Sequence, residues 1–571
     1  MANNPRESPK EVQLPTRLPL IGIANQRGAD ADRDSRLING YIERGVDGVI
    51  RIVKRPGLGV GTTILEGISI LGLGMFQNYT IFRSPVEGGK SARLYNSTTF
   101  IGVVKAVPDG GFIGNFSFEE ASSGVEATTL VFHDTSTVHT YNATDGLKRL
   151  PLRGETYGPI TCGITNTLEE VTTADTSVLT EYSGVTGTGI QADTVIVSID
   201  SATQFTMSLP ATATNASAAL SFTLGGPPSR ESTQGVKTWG GSLPTYPSLA
   251  WGVSELNKRT YLFTYRSEVV GSDIDEPRAW NPLNSIYAYA DQDPPIAIAK
   301  QLSYVIAFKA RTTEFFRDAG GTPAPLERLE NLRLDVGCYA GPTVQEINGT
   351  LLWVSDTASR IRSVWTLAGM KPTEVAWPSI KRILSRYTPT RAISFSLDGH
   401  VFYAVTATLD DETITLVYDL TSEFWSYWSA LGETYMPFSG AYSQASQVTF
   451  QHESNGKTYI MSNDYRADAG VSFDMDVYPP EFDGGLRVTK HLSKMHIVAD
   501  QEESSTLQVR VSDDNRLAST WSNFRTIDLS SPRPTLDQCG SFYKRAFHFR
   551  HSSQTACRLE AVELELLPGL L

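Results

Sequence analysis

Residues 37–58 read LINGYIERGVDGVIRIVKRPGL, and this stretch predicts how the N-terminal part of the chain folds. Its first half places apolar residues in strand-like alternation around a turn-prone Asn-Gly pair at residues 39–40. A second apolar run covers residues 49–53, and the Pro-Gly pair at residues 56–57 ends it with a tight turn. The stretch therefore predicts a two-stranded β-element near the N-terminus.

The rest of the chain consists of short apolar or aromatic runs separated by turn residues, and no long segment has helical periodicity. The runs recur at roughly the 40–60-residue spacing of four-stranded propeller blades. No Trp-Asp dipeptide occurs and the Gly-Gly pairs share no period, which excludes propellers of the WD and kelch types. The runs are YTIFRS (79–84), ATTLVFHD (127–134), TYLFTYRS (260–267), SYVIAFKA (303–310), GTLLWVSD (349–356), HVFYAVTA (400–407), ETITLVYD (412–419) and KTYIMSND (457–464).

One segment differs sharply in composition, because residues 154–229 contain no Lys or Arg and are rich in Thr, Ser and Ala. Within it, TVIVSID and TQFTMSL alternate strictly, as half-buried strands do. Glycines at positions 184, 187 and 189 mark turns. The segment is interpreted as a small β-module inserted into a loop of the main fold.

These patterns predict an all-β chain built on a β-propeller, with an inserted β-module and a C-terminal β subdomain. Four prolines among the first twenty residues disfavour regular structure there and predict an extended arm. The expected division is residues 1–20 for the arm, 21–160 for the first part of the propeller, 161–230 for the insert, 231–485 for the remaining blades and 486–571 for the C-terminal β subdomain.

The charge balance disfavours tight binding to nucleic acid. The 62 acidic residues outnumber the 49 Lys and Arg residues, giving a formal charge of −13. Sequence-independent DNA binding needs clustered cations against the phosphates. A wall of negative sign would suit a conduit through which DNA moves without binding, and an ordinary acidic globular protein is the alternative.

The four cysteines favour a reducing environment, and neither a signal peptide nor a membrane span is expected. Cys162, Cys338, Cys539 and Cys557 lack the C-x-x-C spacing of zinc sites. The last two could meet across a hairpin, although scattered thiols more often indicate a reducing compartment. The polar N-terminus does not resemble a signal peptide, and the longest apolar stretch, residues 64–76, is too short to cross a membrane.

No motif predicts catalysis or metal binding. The eight histidines lack ligand spacing, and the acidic clusters at residues 273–276, 291–293, 410–411 and 513–514 are typical of Asp-rich turns. Paired carboxylates could also serve glycoside hydrolysis, but the spaced ligand pattern of a calcium loop is absent. The candidate phosphate loop at residues 88–91 fails, because Ser84 occupies the position where the motif needs glycine. We therefore expect no catalytic, metal-binding or cofactor-binding residues.

Six tryptophans could form blade cores or an exposed row that binds sugar or protein, and core positions are favoured. They are Trp280, Trp353, Trp365, Trp377, Trp425 and Trp428.

The opening stretch also carries a family resemblance. Its pattern N-x-Y-x-E followed by RPGL resembles the entry segment of tail nozzle proteins, also called packaged-DNA stabilisation proteins, of short-tailed (podovirus-type) bacteriophages. Residues 271–320, 336–390 and 401–428 continue the resemblance in the same order, and residues 160–230 depart from it. The signature residues, which the resemblance suggests as assembly contacts, are Asn39, Tyr41, Glu43, Arg55, Pro56 and Gly57.

This resemblance implies a structural virion protein of the phage tail, assembled in the host cytoplasm. Six copies would form a ring below the portal and its adaptor ring protein, extend the DNA channel and retain the packaged genome until ejection. Further implied partners are a tail fibre or tailspike and a tail needle or plug, while genomic DNA would pass without sequence-specific contacts. Neither enzymatic activity nor a cofactor is expected.

Two other functions stay open at this point. The acidic turns and tryptophans would fit a carbohydrate-active propeller. The inserted segment, around residues 168–225, would fit a receptor-binding module.

Overall fold

The structure is a computed structural model of the 571-residue chain. It describes residues 16–21, 35–45, 48–63, 79–84, 91–96, 99–106, 116–121, 129–133, 138–144, 146–150, 156–179, 181, 183–224, 249–281, 283–321, 324–357, 361–444, 446–485, 488–514 and 516–568. The predicted N-terminal arm lies mostly outside these residues.

Short strands open the described part of the chain. They are β1 (Thr16–Arg17), β2 (Arg36–Ile38), β3 (Gly40–Arg44), β4 (Ile50–Lys54) and β5 (Leu58–Thr63). β3 and β4 pair antiparallel from Gly40 opposite Lys54 to Arg44 opposite Ile50, which is the two-stranded element that the sequence predicts.

Two up-and-down sheets follow, and an inserted sheet comes after them. Blade 1 consists of β6 (Tyr79–Ser84), β7 (Ser91–Asn96) and β8 (Thr99–Ala106), and blade 2 of β9 (Ser117–Ala121), β10 (Thr129–His133), β11 (Val138–Asn142) and β12 (Gly146–Leu150). The insert consists of β13 (Thr156–Ile164), β14 (Glu170–Thr173), β15 (Gly184–Gly187), β16 (Ile196–Ser201), β17 (Gln204–Met207) and β18 (Asn215–Thr223).

Five further blades bring the number described to seven. Blade 3 is β19 (Ser254–Leu256), β20 (Arg259–Phe263), β21 (Glu268–Gly271) and β22 (Ser285–Tyr287); blade 4 is β23 (Pro295–Gln301), β24 (Tyr304–Lys309), β25 (Thr313–Asp318) and β26 (Leu326–Leu334); blade 5 is β27 (Gln345–Ile347), β28 (Thr350–Ser355), β29 (Ser363–Ala368) and β30 (Lys371–Glu374). Blade 6 is β31 (Thr388–Leu397), β32 (His400–Leu409), β33 (Glu412–Asp419) and β34 (Phe424–Tyr427); blade 7 contains β35 (Phe438–Gln444), β36 (Gln447–His452) and β37 (Lys457–Ser462).

The C-terminal strands are β38 (Met475–Tyr478), β39 (Lys490–Ala499), β40 (Thr506–Ser512), β41 (Arg525–Asp528), β42 (Thr535–Asp537), β43 (Ser541–Phe542), β44 (Ala546–His551) and β45 (Arg558–Pro568). One α-helix, α1 (Pro378–Arg386), occurs among the described residues, between blades 5 and 6. Its Ile380, Ile383 and Leu384 pack into the core that these blades share. In the described part of the chain, no helix has the length and apolar character needed to span a membrane.

Tight turns connect the first two strands of several blades. Asn348-Gly349 and Asp398-Gly399 have positive φ at both residues, as two-residue hairpin turns with the twist of neighbouring strands require. Asn and Asp tolerate this region of φ and Gly enters it without steric cost. The Asp398-Gly399 pair is thus a turn between β31 and β32.

Apolar side chains from neighbouring blades form shared cores. Val131 and Val138 of blade 2 cluster with Leu262 and Val270 of blade 3, for example. Blade 4 and blade 5 share a second cluster around Trp353. Burial of this kind, at about 25 cal/mol per Å² of apolar surface, holds successive blades together. The predicted all-β propeller is confirmed.

Blade 7 is completed by the N-terminal segment. β5 pairs antiparallel with β37, with Gly59 opposite Ile460 and Leu58 opposite Met461. The sheet order is β35-β36-β37-β5, so a strand from the beginning of the chain supplies the outer strand of the last blade. This pairing closes the ring of blades without a covalent bond.

The C-terminal strands form a two-sheet sandwich that also takes up N-terminal strands. One sheet contains β3 and β4 beside β45 and β39, and the other places β2 between β34 of blade 6 and β38. Residues 21–160 were expected to belong to the propeller, but residues 36–54 lie in the sandwich. The reason is that Leu37, Ile42 and Ile52 point into the sandwich core.

The insert folds around a core of its own. Its sheet order is β15-β18-β13-β14-β17-β16, and an isolated bridge between Gly184 and Val195 brings the two edges together. Phe205, Phe222 and Leu220 are fully buried in a cluster drawn from residues 162–224. The sheet begins at Thr156, five residues before the expected boundary.

Candidate functional site at the propeller closure

The signature residues meet where the N-terminal segment passes from the sandwich into blade 7. We call this the closure site, and its members are Asn39, Tyr41, Arg55, Pro56, Gly57 and their partners Ser429 and Asp468. All five signature residues among them are buried within the chain. Their contacts here are internal, and a role in assembly stays a prediction.

Arg55 is the centre of the closure site. Its two terminal nitrogens donate to both carboxylate oxygens of Asp468, at 3.0 and 2.6 Å. The two side chains are 0% and 1% exposed. The guanidinium also donates to the carbonyls of Pro56 and Ser429 and stacks on the ring of Phe473 at 3.8 Å. Buried charges are stable only when they are paired in this way.

Asn39 orients Arg55. Its backbone is left-handed, with φ of 54°, a region that Asn tolerates better than most residues. Its Oδ1 accepts hydrogen bonds from Nε of Arg55 and from the backbone N–H of Ser429, at 3.2 and 2.8 Å. Its Nδ2 donates to the carbonyl of Asp474 at 2.9 Å. Asn39 thereby links the N-terminal segment to the end of blade 6 and to the residue before β38 of the sandwich.

Gly57 and Tyr41 complete the contact. A Cβ atom on Gly57 would lie 2.5 Å from the carbonyl oxygen of Ala467, so no larger residue fits without a backbone shift. Tyr41 packs edge-on against His400 with ring centroids 4.9 Å apart. Burial, followed by the charge of Glu43, raises the pKa of the Tyr41 phenol well above its usual range.

Glu43 lies apart from the other signature residues. Its carboxylate is 34% exposed and pairs with Arg558 at 3.6 Å. It lines a cavity of about 620 Å³ between blade 6 and the sandwich, together with Arg44, Arg51 and His400. Of the six signature residues, it is the one whose side chain reaches solvent in appreciable measure.

A second buried ion-pair network was missed by the sequence analysis. Lys309 is fully buried, and its Nζ lies 3.4 Å from Asp293 and 3.3 Å from Glu314. It also donates to the carbonyls of Ala288 and Asp291. The available signal was the charged KARTTE sequence embedded in a strongly apolar run, since charged residues rarely enter such runs without partners.

The first strands of the blades surround an axial cavity of about 650 Å³. Its walls carry Glu119 of blade 2, Lys300 of blade 4 and Glu346 of blade 5. Burial, and then the neighbouring charge of Glu346, raises the pKa of Glu119 to about 8. Lys300 pairs with Glu255 at 3.5 Å. Acidic groups therefore line the axis, but they do not form a site for a metal ion.

The other residues weighed from the sequence have structural surroundings. No group of three or more His, Cys, Asp or Glu side chains suited to a metal occurs within the described ranges. All four cysteines are free thiols. Asp293 of one acidic cluster accepts hydrogen bonds from the backbone N–H groups of Arg311 and Thr312 and thus fixes a turn. The tryptophans that are buried are Trp280, Trp353, Trp425 and Trp428, while Trp365 and Trp377 are half-buried.

Comparison with protein families identifies the propeller. Residues 189–465 match the model of the phage stabilisation family, described as bacteriophage P22 Gp10, beta-propeller. The family resemblance seen in the sequence is thereby confirmed for this range. The match includes residues 189–230, which were expected to depart from the family, and the signature residues between positions 39 and 57 lie outside it. The matched range covers blades 3–7 and much of the insert. No curated protein matches the chain.

Solved structures give only distant likenesses. A phage phi92 endosialidase is 9% identical, with a TM-score of 0.26, covering 74% of this chain and 72% of that one. YCF48 bound to D1 peptide is 8% identical, with a TM-score of 0.32, covering 72% and 98%. The WD40 domain of SCAP from fission yeast is 10% identical, with a TM-score of 0.28, covering 71% and 98%. No functional conclusion follows from likenesses this distant.

Proposed function

We propose that the chain is a phage structural protein, the tail nozzle, because residues 189–465 match the model of the phage stabilisation propeller family. In this role, six copies form a ring below the portal and its adaptor ring. The ring extends the DNA channel and retains the packaged genome until ejection. The family match carries this proposal, and the chain needs no catalytic residues for it.

The closure site supports this proposal, because it holds the two ends of the propeller together. A ring that retains pressurised DNA needs subunits whose blades do not separate. Here the first and last blade-forming segments are joined by a strand pairing and by the buried Arg55–Asp468 pair. The N-terminal strands also extend the sandwich, so the propeller and sandwich share one continuous sheet through β2.

The charge distribution supports passage of DNA without tight binding. The chain carries a formal charge of −13, and about half of this excess comes from the insert region, where Lys and Arg are absent. Phosphates are repelled by surfaces of the same sign. The surface that lines the channel is set by how the subunits pack in the ring. The proposed neighbours of the ring are the adaptor, a tail fibre or tailspike, and a tail needle.

The structure of the insert favours a second function, the binding of a receptor or of another tail protein, alongside the nozzle role. It has a separate core and lies between blades 2 and 3 in the chain. A module of this kind is suited to contacting a receptor or another tail protein. Removing residues 156–224 and joining the flanking blades should then leave particles assembled but impair adsorption.

Electron microscopy of particles grown without this gene product tests the main proposal. We expect heads that package DNA and then empty, with the distal tail missing. Complementation with the Arg17→Met variant, which changes an exposed residue, should restore full particles. Complete tails on full heads that fail to infect would instead favour the receptor-binding or carbohydrate-active alternatives.

A further inference from the structure

The seam between the insert and the propeller is incompletely filled. A cavity of about 410 Å³ lies between them. The propeller contributes Lys148 and Arg149 of β12 and Glu276 and Arg278 of blade 3 to its wall. The insert contributes residues 175–177, Leu179, Glu181, Ile199 and residues 201–202. The two bodies keep separate apolar clusters on either side, and six charged side chains from the two bodies line the cavity between them.

The charges at the seam are of both signs. The insert region has no Lys or Arg, so it presents carboxylates, of which Asp175 lies close enough to Lys148 to feel its charge. This pairing favours contact. Glu181, in contrast, lines the same cavity as Glu276, and it lies close enough to Glu276 and Asp273 of the propeller and to Asp200 of the insert to feel their negative charges. Arg278 and Arg149 line the same cavity.

We propose that the insert is a pH-responsive module, which docks more firmly onto blades 2 and 3 below neutral pH than above it, with Glu181 as the titrating group. Protonation removes one of the like charges that meet at the seam. Deprotonation of Glu181 restores its repulsion from Glu276 and Asp273 at a partly buried position. The inference concerns the insert alone and stands independently of the nozzle proposal.

The direction and size of the effect follow from linkage. Burial, then Glu276 and Asp273, raises the pKa of Glu181 from 4.5 to about 7 in the docked state. Since the docked state binds the proton more tightly, docking is favoured at low pH and weakened as pH rises through 7. With these two values, the docking equilibrium constant falls about tenfold between pH 6 and pH 8.

Hydrogen exchange of the full-length protein tests this inference. Amide exchange is measured at pH 6 and pH 8, with each rate divided by its intrinsic rate, for peptides covering β12 and residues 175–179. We expect protection at the seam to fall by up to about tenfold at the higher pH, while peptides from blade 5 stay unchanged.

Three variants distinguish the effect of Glu181 on the pH dependence from the effects of the other acidic residues. Glu181→Gln should hold the seam closed and abolish its pH dependence. Glu170→Gln, which neutralises an exposed carboxylate elsewhere on the insert, should leave the pH dependence of the seam unchanged. Glu276→Gln, on the propeller side, should reduce it, and this gives an independent test if the first variant folds poorly. Equal protection at both pH values in the unmodified protein, or an undiminished pH dependence in Glu181→Gln, would overturn the inference.

Discussion

The Arg55–Asp468 pair should dominate the stability of the closed propeller. Replacing Asp468 by Asn leaves a fully buried guanidinium without its counter-charge, and replacing Arg55 by Met leaves a buried carboxylate. Breaking a buried pair by removing one partner costs about 3–5 kcal/mol. Arg55 also makes hydrogen bonds to Asn39 and two carbonyls, so Arg55→Met should lie at the upper end of that range.

The double variant distinguishes pairing from general disruption. Because removing both charges leaves neither unpaired, Arg55→Met with Asp468→Asn should cost at least about 2 kcal/mol less than the sum of the single changes. Equilibrium urea unfolding followed by tryptophan fluorescence measures each free energy. Trp428 reports on the same junction, since its Nε1 donates to the carbonyl of Gly40 at 3.1 Å.

An exposed pair provides the matched control. Arg17 and Glu563 lie 3.1 Å apart with side chains 60% and 23% exposed. Surface pairs contribute about 0–1 kcal/mol, so Arg17→Met should be nearly silent. If the two closure-site single variants are as mild as this control, or if their costs simply add, the reasoning about a buried closing pair is refuted.

Three further perturbations should give equally definite results. Gly57→Ala forces a Cβ into a backbone carbonyl and should lower the free energy of urea unfolding by at least about 2 kcal/mol. The control Gly184→Ala, whose Cβ would have ordinary contacts at 3.6 Å, should cost less than about 1 kcal/mol, and equal costs would contradict the steric argument. Burial and the charge of Lys54 lower the pKa of His551 from 6.5 to about 3. The contribution of the neutral imidazole to folding stability is therefore present above pH 6.5 and is lost as pH falls toward 3, by as much as about 5 kcal/mol. His551→Gln should flatten this part of the stability–pH curve, and an unchanged curve would exclude His551 as the cause. Residues 156–224 expressed alone should show a β-type circular dichroism spectrum and a cooperative thermal transition. Phe205→Ala removes about 3–5 kcal/mol of core packing and should abolish this transition. A fragment without a transition would show that its core depends on the propeller.

Local patterns predicted much of this fold. The alternation in residues 37–58 indicated the β3–β4 hairpin, and the Thr- and Ser-rich composition indicated the insert, because both signals act over a few residues. The tryptophans at positions 280, 353, 425 and 428 were favoured as core residues and are buried.

Long-range pairing could not be obtained in the same way. Nothing in the local sequence around Arg55 indicates that its partner lies 413 positions further along the chain. Residues 36–54 were assigned to the propeller because they precede its strands, yet Leu37 and Ile42 fit the sandwich core. Local alternation identifies which face of a strand is buried, but it does not identify the sheet that covers it.

The pairing of β5 with β37 has a consequence for how the protein is made. About 400 residues separate the two strands, so a ribosome that adds roughly 5–20 residues per second needs about 20–80 s between them. During that time β5 lacks its native neighbour, and an unpaired strand edge is a template for pairing with other chains. Apart from Leu58 and Val60, β5 consists of two glycines and two threonines, so few large apolar side chains are available for such pairing while the strand waits for its partner during translation.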